Sequence, residues 1–291
     1  MPLAYACFDQ PDLKAEFTFQ VIAPAHWTVL SNAPAARPPS PAGDGRAVWD
    51  FLPTTRLPTF TTTVVAGEYH LVTASHVTPG GQQIPLELAC RAGMAAHLDA
   101  GALFELAGQG LDFYTGLLGR DYPYRKYGQV FVPELSCGAS EDAGCVLVSE
   151  RLLSRSRLTA AMEESRAGTL LHEMAHMWFG DLVTQQWWDD LWLSESFADF
   201  CEYHARGRLG RFSDAWSAFS VNEKVRGFAD DQLPSAHPVA CSGSWPGRDR
   251  GHLGQQRRSA AGATRHAAVP LPCRLTGISD HDRGLPDRHV P

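Results

Sequence analysis

His172, Glu173 and His176 stand in the order HExxH inside "LLHEMAHMWFGDLVTQQWWDDLWLSESFADF", residues 170–200, and Glu195 follows in the same stretch. On a helix, residues four apart lie one turn above each other, so both imidazoles project from one face. Met174 falls about 200° round from either histidine, and with Leu170, Leu171 and Trp178 it builds an apolar stripe on the other side. Glu173 lies roughly 60–100° from the histidines, too far round to join them as a ligand but near enough to reach a water between them. Two imidazoles and one carboxylate are a donor set for zinc that keeps a fourth position open for water. Glu195 is the natural third ligand, and the expected load is one zinc ion per chain. Zinc lowers the pKa of its water and polarises a carbonyl oxygen. Glu173 is the expected general base, taking the proton of that water and passing it to a leaving amine. Asp199, one turn beyond Glu195, either orients a ligating histidine or is a surface carboxylate. Trp187, Trp188 and Trp192 read as packing.

These residues need a scaffold, and the rest of the chain describes one. A chain of 291 residues has room for two ordinary domains. Its 44% hydrophobic and 20% charged residues are the balance of a soluble globular protein. The net charge of −7 argues against a nucleic-acid partner, which requires a basic face. No apolar run approaches the roughly 20 residues of a membrane helix, and "MPLAYACFDQPD" shows no secretory leader. The seven cysteines (7, 90, 137, 145, 201, 241 and 273) are scattered without CxxC spacing, which suits reduced thiols in the cytoplasm.

Residues 1–89 read as β structure. Phe17, Phe19 and Val21 alternate with polar residues, "TFTTTVVAGEYH" is β-branched, and "IPLELAC" alternates again. The pattern begins almost at Met1, as if a longer sheet had been cut. From Met94 the period turns helical, interrupted by "QVFVP" and "CVLVS", the latter fitting an inner strand of a helix-covered sheet. Helices are expected over 159–179, about 190–206, and 212–230. The fold class is α+β, with a partial β-sheet domain over 1–89, a helical catalytic domain over 90–240, and a third segment. That segment, 241–291, carries eight arginines and four aspartates but no Glu, Lys, Phe, Tyr or Met. With so little apolar area it is expected to be poorly ordered, and its abrupt start fits either an ordinary disordered tail or an out-of-frame or otherwise foreign one.

"HEMAHMWFGDLVT…WWDDLWLSESFADF" resembles the zinc signature of the aminopeptidase N family of thermolysin-like metallopeptidases. The likeness extends over "ACFDQPDLKAEFTF", "VAGEYH", "FYTGLLGRDYPYRKYGQVFVPE" and "LPSAHPV", about residues 5–239. It implies His172, His176 and Glu195 as zinc ligands, Glu173 as base, and peptides with a free N-terminus as substrates. It also gives meaning to "CGASEDAGC", residues 137–145. The family carries Gly-Ala-Met-Glu-Asn there, and its Glu binds the substrate's α-amino group. Gly138, Ala139 and Glu141 match, while Ser140 replaces the Met and Asp142 the Asn. An added carboxylate at 142 either strengthens amine binding or repels peptide carbonyls. Glu141 disfavours an endopeptidase, because its charge blocks upstream residues.

The same resemblance implies two losses. The family's transition-state tyrosine lies some sixty residues past the third ligand, where this chain reads "GHLGQQRRS", and its last tyrosine is Tyr203. A second amine-binding residue and a large helical C-terminal domain fall outside the chain. The alternative expectation is therefore a catalytically impaired or inert zinc-binding fragment.

Overall fold

The computed structural model describes residues 4–212 and 214–234. The tail expected over 241–291 lies outside the described residues. Among the described residues, ten strands and five α-helices follow one another as β1 (Gln20–Pro24), β2 (Thr28–Ser31), β3 (Ser40–Gly43), β4 (Arg46–Asp50), β5 (Val64–Gly67), β6 (Tyr69–Val77), β7 (Gln83–Arg91), α1 (Ala100–Leu118), β8 (Tyr127–Val132), β9 (Ala139–Ser140), β10 (Cys145–Ser149), α2 (Ala160–His176), α3 (Trp192–Arg208), α4 (Ala215–Val221) and α5 (Glu223–Asp230). The class is α+β, β-rich first and helical afterwards.

Residues 4–67 make two small sheets, β1-β4-β3 and β2-β5. Trp49 and Phe51 fill the core of the first. Regular pairing begins at Gln20, later than the alternation suggested. Phe17 and Phe19 lie in an extended approach whose carbonyls accept from Thr54 and Phe51 N–H. The stretch expected to continue as strand at "TFT" is a 3-10 turn, Thr59–Thr61. Its threonine hydroxyls explain this, since Thr61 and Thr62 bond back to the carbonyls of Pro58 and Thr59 and compete with a ladder.

A five-stranded sheet, β6-β7-β8-β10-β9, supports the helices. β7, β8 and β10 run parallel, and β6 and β9 are antiparallel edges. β7 runs through residues 89 and 90, where the sequence suggested a domain boundary, and pairs with β8 from Leu86↔Tyr127 onward. β10 lies inside the sheet, as "CVLVS" implied, with Cys145, Val146 and Val148 fully buried.

α1 starts where Asp99 accepts the N–H of Ala102 and stops at Gly119, whose φ of 61° is left-handed. It crosses α2 at Gly110, where an added Cβ would come within 2.8 Å of Met174 Sδ. Tyr114, fully buried on α1, donates to the Leu171 carbonyl at 2.8 Å. α2 buries Leu170, Leu171 and Met174, so the apolar stripe faces the core and the histidine face is turned away from it. The helix expected over 212–230 is kinked into α4 and α5 at Asn222. Ser220 Oγ bonds back to the Trp216 carbonyl, which bends helices, and Asn is a poor helix former.

Among the long-range contacts that seat residues 4–67 on the helical half are those of Lys14, Trp188 and Asn32. Lys14 Nζ donates to the carbonyls of Asp181 and Leu182 at 2.8 and 2.9 Å. Trp188 Nε1 donates to the Asp9 carbonyl at 2.9 Å, with its ring 5.3 Å from that of Phe60. Asn32 Nδ2 donates to the Ala143 carbonyl at 2.8 Å. Trp188 thus packs as expected, whereas Trp187 is 48% exposed because the turn before α3 directs it outward.

Candidate metal centre and amine site

His172 and His176 face each other from the last two turns of α2, with Nε2 atoms 3.0 Å apart. α3 packs beside α2 and brings Glu195, in its first turn, to the same point. Glu195 Oε2 is 3.8 Å from His172 Nε2 and 4.0 Å from His176 Nε2. A triangle with these sides has a centre about 2.1 Å from each atom, inside the zinc–ligand range of about 2.0–2.2 Å.

The outer ring nitrogens decide what the inner ones offer. His172 Nδ1 is 2.8 Å from Asp199 Oδ1. His176 Nδ1 is 3.0 Å from the Phe179 carbonyl and 3.1 Å from Ser194 Oγ. A carboxylate and a carbonyl only accept, so each Nδ1 carries the proton and donates. Both Nε2 atoms are then left with lone pairs directed at one another and at a carboxylate. That arrangement is unfavourable unless a cation lies between them, and the donor set is one that zinc takes.

The charges around the pair act unequally. Burial opposes protonation of His172, yet the Asp199 carboxylate, with Glu195 and Glu173, outweighs it and holds the pKa well above the ordinary histidine value. Burial and the neighbouring His172 push His176 down. A bare proton therefore competes with a metal chiefly at His172.

Glu173 and Glu141 are both buried, and each places a carboxylate oxygen within 4.8 Å of the other and of a His176 ring nitrogen. Glu141 belongs to a turn between β9 and β10, and Gly138 and Ala139 precede it on the β9 side. Asp142, in the same turn, is buried, and burial, then Glu141 and Glu173, pushes its pKa well up. Asp142 is thus held toward its neutral form. Gly138, Ala139, His172, Glu173, Glu195 and Asp199 line one cleft of about 740 Å³.

Sequence reasoning singled out the two histidines, Glu173, Glu195, Glu141 and Asp199, and the fold brings all six together. It overlooked Ser194, whose only signal is its place beside Glu195. It also overlooked Asp181, fully buried with neither carboxylate oxygen hydrogen-bonded among the described residues. Burial, then Glu141 and Asp142, pushes the Asp181 pKa well up, against the opposing pull of Lys14.

Two family models match the chain. The family model "Peptidase family M1 domain" matches residues 103–247, and "Peptidase M1 N-terminal domain" matches residues 3–61. The chain is 45% identical to aminopeptidase N of Streptomyces lividans over 237 residues, which is 81% of this chain and 27% of that protein. It is 31% identical to human aminopeptidase N over 245 residues, 83% of this chain and 25% of that protein. It is 29% identical to the tricorn protease-interacting factor F2 of Thermoplasma acidophilum over 238 residues, 81% of this chain and 29% of that protein. The chain therefore spans little more than a quarter of these relatives. No helix among the described residues is long and apolar enough to cross a membrane.

Proposed function

We propose that this chain, which belongs to peptidase family M1, carries the metal-binding and water-activating part of a zinc aminopeptidase acting on peptides with a free N-terminus. The observation that carries the reading is the pair of imidazole Nε2 atoms 3.0 Å apart, with their rings held from outside by Asp199 and Phe179 and the Glu195 carboxylate beside them. His172, His176 and Glu195 would hold one zinc ion. Bound there, zinc supplies a more acidic water and a polarised peptide carbonyl.

The remaining roles belong to the chain's own side chains. Glu173 is next to His172 in the helix yet outside the ligand triangle, so its carboxylate accepts the proton of the attacking water and delivers it to the departing amine. Glu141 receives the α-ammonium group of the substrate in charge-assisted hydrogen bonds. A carboxylate at that point leaves no room for a residue upstream, which confines cleavage to the first peptide bond. Asp142, where the family carries asparagine, is buried beside Glu141, and that burial pushes its pKa well up. The zinc-bearing unit starts at Tyr69, because β6 and β7 belong to its sheet.

Two variants test the proposal. Metal analysis should find one zinc per parent chain and a loss of it in His176→Ala, and equal zinc in both removes the metal assignment. Glu173→Gln should keep zinc while hydrolysis of an alanyl or leucyl anilide falls by about 10²–10⁴. Undiminished turnover would take Glu173 out of the base role.

A further inference from the structure

Glu141 is held on a short turn. β9 ends at Ser140 and β10 begins at Cys145, and within the turn Cys145 N–H donates to the Asp142 carbonyl at 2.9 Å. Within that turn the buried Ala143 carbonyl accepts from Asn32 Nδ2 at 2.8 Å across 111 residues of sequence. Asn32 follows β2 and is buried. Its second amide proton goes to the Thr61 carbonyl at 2.8 Å, and its Oδ1 accepts from Thr63 N–H at 2.9 Å. Both donors and one acceptor site are engaged, so the amide has a single orientation.

A second contact presses on the same turn. Gly144 has φ of 71°, and a Cβ there would stand 2.7 Å from the backbone oxygen of Asn32. The glycine is needed both for its left-handed backbone and for this close approach. Asn32 therefore grips the turn at two consecutive residues, Ala143 and Gly144. Two residues upstream, the Glu141 carboxylate must stay within reach of Glu173 and His176.

We propose that Asn32 is a positioning residue for Glu141. By fixing the Ala143 carbonyl it sets where the α-amine of a ligand is received, so the first module takes part in recognising a free N-terminus. The inference rests on Glu141 being the amine anchor. Asn32→Ala removes the grip. Asn32→Asp keeps its shape and the bond from Thr63 but loses both donors, and it carries the test if alanine does not fold.

The experiment uses the zinc-loaded full chain and two probes, leucine hydroxamate and its des-amino counterpart 4-methylpentanehydroxamate, titrated by calorimetry. The ratio of their affinities reads amine recognition alone. The parent should prefer the amine-bearing probe. In the variants that preference should shrink about tenfold, as expected for a receiving group displaced by a fraction of an ångström. Zinc content and des-amino affinity should stay at parental values. An unchanged preference in a zinc-loaded variant overturns the inference and leaves the anchor reading standing. Joint loss of zinc and of both affinities makes Asn32 a residue of the fold alone and also overturns it. A parent that ignores the amine refutes the Glu141 reading, and this inference with it, without any variant.

Discussion

Replacing Asp199 by Asn tests whether zinc affinity is set from outside the three proposed ligands. Asp199 Oδ1 lies 2.8 Å from His172 Nδ1, and asparagine leaves an oxygen there while removing the charge. That charge keeps the Nδ1 proton in place and makes Nε2 a stronger donor to a metal. Losing such a partner weakens metal binding about 10–100-fold, or about 1.4–2.7 kcal/mol. The Asp199 side chain is 27% exposed, so water already screens part of its effect and the lower half of that range is expected. Ser194→Ala is the internal comparison. His176 Nδ1 keeps the Phe179 carbonyl at 3.0 Å when the hydroxyl is gone, so its loss should stay below about threefold. Zinc titrated against a chromogenic chelator, at one pH for all three proteins, gives both numbers. An Asp199→Asn affinity equal to the parent's refutes the reasoning, and so does a Ser194→Ala loss as large as that of Asp199→Asn.

Two further outcomes concern stability. Asp181 has its folded pKa raised well above the usual 3.8, so ionising it costs stability as pH climbs past that value, at up to about 1.4 kcal/mol per pH unit. At constant zinc, Asp181→Asn should therefore gain on the parent in urea midpoint as pH rises from about 4 towards neutrality. Parallel pH profiles would contradict this. Gly110→Ala forces a methyl to within 2.8 Å of Met174 Sδ and 2.9 Å of Leu171 Cδ2. Overpacking of about 1–3 kcal/mol should exceed the helix-propensity gain of about 1 kcal/mol, lowering the thermal midpoint. A higher midpoint would show that α1 and α2 separate easily.

The grouping of the candidate site residues was legible in the sequence because most of it sits on local geometry. His172 and His176 are one helical turn apart, Glu173 is bound to their spacing, and Glu195 opens the next helix, so reading a 3.6-residue period sufficed. Asp199 could be named but not assigned, since its role depends on which way α3 faces α2. Asn32, Lys14 and Ser194 were silent for a related reason: an asparagine after a strand looks the same whether it caps a loop or grips a turn 111 residues away. The strands show the same division. Alternation in "IPLELAC" announces β7 but says nothing of which sheet it joins, and a boundary drawn at residue 89 passes through a strand that pairs with β8. The turn at Thr59–Thr61 escaped because threonine favours strands on average while its hydroxyls here satisfy local carbonyls.

Lys14 and Asp9 find their partners 167 and 179 residues later in the chain. During synthesis at about 5–20 residues per second, the first module waits roughly ten to thirty seconds for the surface it must meet. Its own sheets can pair in that interval, because their contacts are short in sequence. Its docking face stays open to water and to other chains until the Asp181 turn and Trp188 have left the ribosome. Closing so long a loop is entropically late as well as temporally late. Glu195 emerges later still, so a metal ion offered to the nascent chain meets only a pair of histidines at first. The proposed three-ligand site is complete only once α3 has folded against them.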